Sequence, residues 1–157
     1  MIIDSIINTS NTTPEKNFTR ASSGGNSYIY EWDSSYYIKG YCTTYFESET
    51  LGRTTYTNIT KVSGGYTLDG NSGVSVSSQT VYVGQIGKTY SNGTKSYSMT
   101  QRPTGTSWNY STPTSWNAIE ADAISAAGSV YTLKIKRGTS SSTWTLELAN
   151  YVFGTDI

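Results

Sequence analysis

Trp108, Asn109, Tyr110 and Trp116 stand together in the run Thr106-Ser-Trp-Asn-Tyr-Ser-Thr-Pro-Thr-Ser-Trp116, the densest group of ligand-gripping side chains in the chain. Flat aromatic faces stack on the C–H faces of sugar rings, and an amide offers both a donor and an acceptor to sugar hydroxyls. These four residues are therefore the candidate ligand-binding set. Tryptophans on either side of Pro113 could equally plug a core from a crossover loop, and the sequence leaves both roles open. The segment echoes itself, since Thr106-Ser107-Trp108 returns as Thr114-Ser115-Trp116 and again, loosely, as Ser142-Thr143-Trp144.

Catalytic chemistry has fewer handles. The chain has no histidine, which removes nucleophile–histidine catalysis in its usual form and zinc sites of the Cys/His type. The nucleophile-elbow, phosphate-loop and dinucleotide patterns are absent. Asp69-Gly-Asn-Ser-Gly73 begins like a calcium loop but has Gly73 where an oxygen ligand belongs and Thr80 where the closing glutamate belongs, so it reads as a turn. Three carboxylate pairs, Glu31/Asp33, Glu47/Glu49 and Glu120/Asp122, have the spacing that shares one face of a strand. A glycoside hydrolase needs its two carboxylates across a cleft, which same-strand neighbours do not supply. No catalytic residue, metal site or cofactor is expected.

Composition bounds the rest. The 157 residues suit one domain, and with 14 Tyr, 4 Trp and 3 Phe against an apolar share of only 35%, aromatic rings must carry much of the core. Formal net charge is zero and charged residues make up 14%, so there is no polybasic surface for nucleic acid. The single Cys42 excludes an intrachain disulfide and, within an alternating apolar run, reads as a small core residue. No stretch is long and apolar enough to be a transmembrane segment. The N-terminus lacks a basic leader region and Asp4 interrupts its isoleucines. Secretion or surface display is nevertheless the expectation from the Ser/Thr/Tyr/Asn-rich texture, with any leader already removed.

The elements that must position these residues are strands. Clusters of Asn, Ser, Thr, Pro and Gly through residues 1–26 read as a flexible arm, with Ile2, Ile3, Ile6 and Ile7 able to form either a helical turn or an added strand. A single β domain is expected over 27–157. Tyr28, Tyr30 and Trp32 alternate with Ile29 and Glu31. The run Tyr36 to Phe46 divides into one face with Tyr36, Ile38, Cys42 and Phe46, and a second with Tyr37, Lys39, Tyr41 and Tyr45. That tyrosine ladder fits a half-wet sheet surface or a binding platform. Thr54 to Val62 predicts a strand turned by Ser63-Gly64-Gly65, and Val74 to Val83 another, broken over Gly84 to Gly87. Ser91-Asn92-Gly93 signals a hairpin or bulge. Alanines between Asn117 and Gly128 predict a short helix near 117–127, and the alternation from Val130 to Arg137 and from Trp144 to Leu148 predicts a closing hairpin. The pattern points to an all-β chain, an antiparallel β-sandwich or a jelly-roll-like barrel with at most that one helix.

The segments Lys95-Ser-Tyr-Ser-Met, Ser107-Trp-Asn-Tyr-Ser-Thr-Pro-Thr-Ser-Trp116, Tyr131-Thr-Leu-Lys-Ile-Lys-Arg137 and Trp144-Thr-Leu-Glu-Leu-Ala-Asn150 resemble small secreted β-rich proteins of Gram-positive bacteria, a resemblance confined to the C-terminal half and implying no activity. Tyr90-Ser-Asn-Gly-Thr-Lys-Ser-Tyr-Ser-Met-Thr100 is similar to a segment of lactococcin-type bacteriocins, with Tyr97 where that family tends to have histidine. The expected function is a secreted or cell-surface binding domain for a glycan or cell-wall polymer. The alternatives are a protein-interaction or structural role, as an adhesin, toxin or bacteriocin-like subunit, and, third, a glycoside hydrolase.

Overall fold

The computed structural model describes residues 2–4, 20–70, 73–155 and 157. Its strands form two antiparallel sheets packed face to face, an open sandwich with no helix among the described residues. Sheet A runs in the order β1 (Ile2–Asp4), β2 (Arg20–Trp32), β3 (Ile38–Leu51), β4 (Thr54–Leu68) and β7 (Ser107–Ser111), with the short β8 (Ile119–Glu120) also pairing β4. Sheet B runs β10 (Thr143–Phe153), β9 (Ala126–Arg137), β5 (Val74–Lys88) and β6 (Thr94–Gln101). A single bridge between Thr89 and Ile119 brings the two sheets together at one end.

Period-two alternation decides which side chains meet between the sheets. Ile38, Cys42, Ile59 and Val62 of sheet A face Val81, Val83, Tyr131, Leu133, Ile135, Leu146 and Leu148 of sheet B in one buried cluster. Each fully buried aliphatic contributes about 1.5–3 kcal/mol. Most polar groups that enter this layer are answered across it, the buried Trp108 indole N–H being left without a partner among the described residues. The Gln85 amide reaches Ile59, Asn58 and Asn117; the Tyr131 hydroxyl donates to Gln79; Thr44 and Ser129 share a hydrogen bond; and Asn150 bonds Ser27 and the Cys42 carbonyl. Cys42 is fully buried, and that burial raises its thiol pKa.

Four local expectations change. The helix over 117–127 is absent, because Asp122 accepts hydrogen bonds from the Ile124 amide and the Ser125 hydroxyl and closes a turn, while Ala126, Ala127 and Gly128 extend into β9. A side chain at Gly128 would collide with the backbone of Asn150 and Tyr151, so these small residues serve close strand packing. Ser63-Gly64-Gly65 and Gly84 to Gly87 are likewise strand interior, within β4 and β5. A Cβ at Gly64 would overlap the Trp108 ring, and one at Gly87 would press on Ile119 and the Ser125 hydroxyl. Residues 20–26, assigned to the arm, form the first half of β2, and Ile2–Asp4 pairs with residues 20–22. The rest of the arm, with Ile6 and Ile7, lies outside the described residues. Tyr36, expected on one strand face with Ile38, Cys42 and Phe46, instead sits at positive φ in the β2–β3 turn and is exposed.

That turn is built on Asp33. The buried carboxylate accepts from the amides of Ser35, Tyr37 and Ile38, the Ser35 hydroxyl, and the Trp144 indole N–H of sheet B at 3.0 Å. Burial alone would raise its pKa, but the bonds from Ser35, Ile38 and Trp144 outweigh that and hold it down to about 2. Because the folded pKa lies below the unfolded value of 3.8, the stabilisation is complete above that value and is lost as pH falls through about 2. Asp33→Asn is expected to lower stability at neutral pH by about 2 kcal/mol and to flatten the acid limb between pH 4 and 2. Urea melts of both proteins across that range check it, and parallel pH profiles would contradict it.

Candidate functional site

The register of sheet A lays out its outer face row by row, since directly paired residues share a face. Trp32 pairs Lys39, which pairs Thr67; Tyr30 pairs Tyr41, which pairs Gly65; Tyr28 pairs Thr43, which pairs Ser63 and then Asn109. The next row is Asn26, Tyr45, Lys61 and Ser111. Tyr28, Tyr30 and Trp32 are thus consecutive outward positions of one strand, 54%, 52% and 40% exposed. The Tyr28 and Tyr30 ring centroids are 6.3 Å apart. Lys39 places its Nζ 4.4 Å from the centre of the Tyr30 ring, and Lys61 does the same to Tyr45. Such contacts, worth about 0.5–1 kcal/mol at exposed positions, restrain rings that would otherwise turn freely. The face is a hydroxyl- and amide-studded platform with an aromatic row along its β2 side.

The row borders a groove of about 480 Å³ on the open side of the sandwich, where Tyr28, Ile29, Tyr30 and Glu31 of β2 meet Glu147, Leu148 and Ala149 of β10. Glu31 and Glu147 bring carboxylates from both sheets to one groove, both exposed. At the opposite end of sheet A, about 13 Å along β2 from Tyr28, the same register pairs Gly24 with Glu47, Glu47 with Asn58, and Glu49 with Tyr56. There the surface sinks into a pocket of about 440 Å³ lined by Ser23, Gly24, Glu47, Ser48, Glu49, Tyr56, Asn58 and Ala118. Burial pushes the Tyr56 phenol pKa up, with the charge of Glu120 and the phenol of Tyr90 adding to the effect.

The four residues singled out in the sequence are divided by β7. Trp108 and Trp116 point inward and are 7% and 8% exposed. Trp108 stacks on Tyr110 at 5.8 Å and meets Tyr131 edge-on at 4.9 Å; Trp116 stacks on Tyr97 at 5.5 Å. Tyr110 is half-buried beside Trp108. Asn109 alone of the four is exposed, and it extends the platform next to Ser63. Tyr28, Tyr30 and Trp32 are visible in the sequence as an alternation, but an alternation does not say which of its two faces will be covered. Among the carboxylate pairs, Asp33 is committed to its turn and Asp122 to another, while Glu47 and Glu49 both line the pocket. No group of three or more Cys, Asp or Glu residues able to hold a metal occurs among the described residues.

Comparison with protein-family models, curated proteins and solved structures found no match to this chain. Fold and surface define the class on their own, as a two-sheet antiparallel β-sandwich displaying an aromatic platform. The inward tryptophans yield a direct test of what is core. Trp108→Ala and Trp116→Ala are each expected to cost about 3–5 kcal/mol, and Tyr30→Ala less than about 1 kcal/mol. Chemical denaturation separates the two sets, and a Trp108→Ala protein as stable as the parent would contradict the assignment.

Proposed function

We propose that the protein is a glycan-binding domain whose ligand lies along the outer face of sheet A. The carrying observation is the row Tyr28, Tyr30 and Trp32, three large rings held exposed side by side on one strand. Burial of apolar surface favours turning such rings inward, so three successive outward rings point to a surface kept for a partner. The partner's chemistry follows from what surrounds them. Thr43, Ser63, Thr67, Ser107 and Asn109 supply hydroxyls and an amide rather than a greasy rim, and Glu31 and Glu147 supply acceptors beside the rings. An extended polyhydroxylated chain matches both halves, its ring C–H faces on the aromatics and its hydroxyls on the polar groups.

A straight row on a flat sheet favours a polymer over a small free sugar, because each ring adds a weak contact and the contacts sum along the chain. The expected outcome is retention by insoluble or polymeric glycans such as cell wall or cellulose. Retention should fall about tenfold, or 1.4 kcal/mol, with each of Tyr30→Ala and Trp32→Ala, at unchanged melting temperature. Affinity electrophoresis and pull-down across a polysaccharide panel measure this. Absence of retention by every polymer, with self-association or capture of a defined protein abolished by the same two variants, would move the face to protein recognition, a use that tyrosine-rich surfaces also serve.

A further inference from the structure

The pocket at the far end of sheet A exists because of an omission in β2. Ser23-Gly24-Gly25 places no side chain where Glu47 and Asn58 stand in the neighbouring strands, and a Cβ built at Gly24 would find only the Phe46 carbonyl, at an ordinary 3.7 Å. Gly25 differs, since a Cβ there would strike the Phe46 ring, so its smallness serves packing. Nothing in the local packing requires Gly24 to be bare. Its effect is to leave room.

Two polar groups are turned into that room. Tyr56 is 9% exposed and lines the pocket. Asn58 is oriented from behind. The Ile59 amide donates to Gln85 Oε1 at 2.9 Å, which fixes the Gln85 amide the other way round toward Asn58 and the Asn117 carbonyl, each 2.9 Å from Nε2. Asn58 must therefore present its oxygen to Gln85, leaving Nδ2 as the free end. Gln85 is fully buried and acts as a positioning residue. The pocket then offers a donor from Asn58, a hydroxyl from Tyr56 that can donate or accept, a hydroxyl from Ser23, and a carboxylate acceptor from Glu47.

From this arrangement we infer that the pocket is a second sugar subsite on the same face, taking one or two pyranose units that are neutral or amine-bearing. Its volume lies within the range of small-molecule sites, roughly 300–1,000 Å³. Carboxylate, amide and phenol together answer the donor and acceptor pattern of adjacent hydroxyls. A uronic acid is disfavoured, because its carboxylate would meet Glu47, with Glu120 near Tyr56. The ligand class rests on the glycan-binding reading of the aromatic row, whereas the geometry of the pocket stands without it.

The test is a ¹⁵N–¹H NMR titration of the full chain with methyl glucoside, methyl N-acetylglucosaminide, methyl glucosaminide and methyl glucuronide. At least one of the first three should move the signals of Gly24, Glu47, Tyr56 and the Asn58 side-chain amide, with the glucuronide at least tenfold weaker. Gly24→Val, whose Cβ would meet nothing closer than the Phe46 carbonyl at 3.7 Å, Tyr56→Phe and Asn58→Asp should each weaken that binding at least tenfold in proteins that keep the parent spectrum elsewhere. Tyr30→Ala should leave it unchanged. Silence of the pocket signals toward all four glycosides, or equal binding by Gly24→Val and Tyr56→Phe, overturns the inference; a glucuronide bound best overturns the ligand class. Loss of polymer retention in Tyr30→Ala with a silent pocket removes the subsite and keeps the platform. A responsive pocket in a protein that no polymer retains does the reverse.

Discussion

The amide of Gln85 ties three separate segments of this molecule together. It is fully buried between the sheets, projects from β5 of sheet B, and satisfies the Ile59 amide beside the bulge at which β4 carries the extra residue Thr60. A bulge leaves a ladder group unpaired, and a buried unpaired donor costs about 1–3 kcal/mol. Gln85 answers that donor with its oxygen and spends its two hydrogens on Asn58 and the Asn117 carbonyl. One side chain thereby pins the irregular point of sheet A, the segment leading to β8, and the residue that faces the pocket. The geometry of the surface is inherited from a hydrogen bond in the interior.

The other inter-sheet bonds act in the same manner. Asn150 reaches across to Ser27 and the Cys42 carbonyl, which sets the height of β2 over β10 and so the opening of the groove beside Tyr28 and Tyr30. Trp144 reaches across to Asp33 and ties the start of β3 to sheet B. With β2 held at both places, Ser27 and Ile29 are committed to the second sheet. Period two then forces Tyr28, Tyr30 and Trp32 outward. The exposed row is a consequence of what β2 must do on its other face, which is why it stays straight and in register.

Strand character was readable where bulky residues alternated, Tyr36 in its turn excepted. Val130 to Arg137 and Trp144 to Leu148 fall within β9 and β10 as a hairpin, and Cys42 lies in the core. The reading failed where small residues did the work of close packing. Gly64, Gly87 and Gly128 lie inside strands where a ring, a side chain or a backbone passes at the place a Cβ would take, and the partner in each case is remote in sequence. Glycine in isolation signals a turn; only the approaching neighbour turns it into strand. The alanines before Gly128 misled for the same reason, their helix propensity being weak beside the pairing of β9 on two sides.

By itself the sequence determined the class, since hydroxyl-rich alternating segments with turn signals between them can bury an apolar face only as packed sheets. It also determined that aromatic rings would have to serve both core and surface. Which rings serve which was decided by tertiary structure. Trp108 and Trp116 lie against Tyr131, Tyr110 and Tyr97, whereas Tyr28, Tyr30 and Trp32 stay in the open. Local sequence gives every strand two faces of fixed composition, but the choice of the face to be covered belongs to the second sheet, and the chain places that sheet only when residues a hundred positions apart, such as Asp33 and Trp144, come into hydrogen-bonding contact.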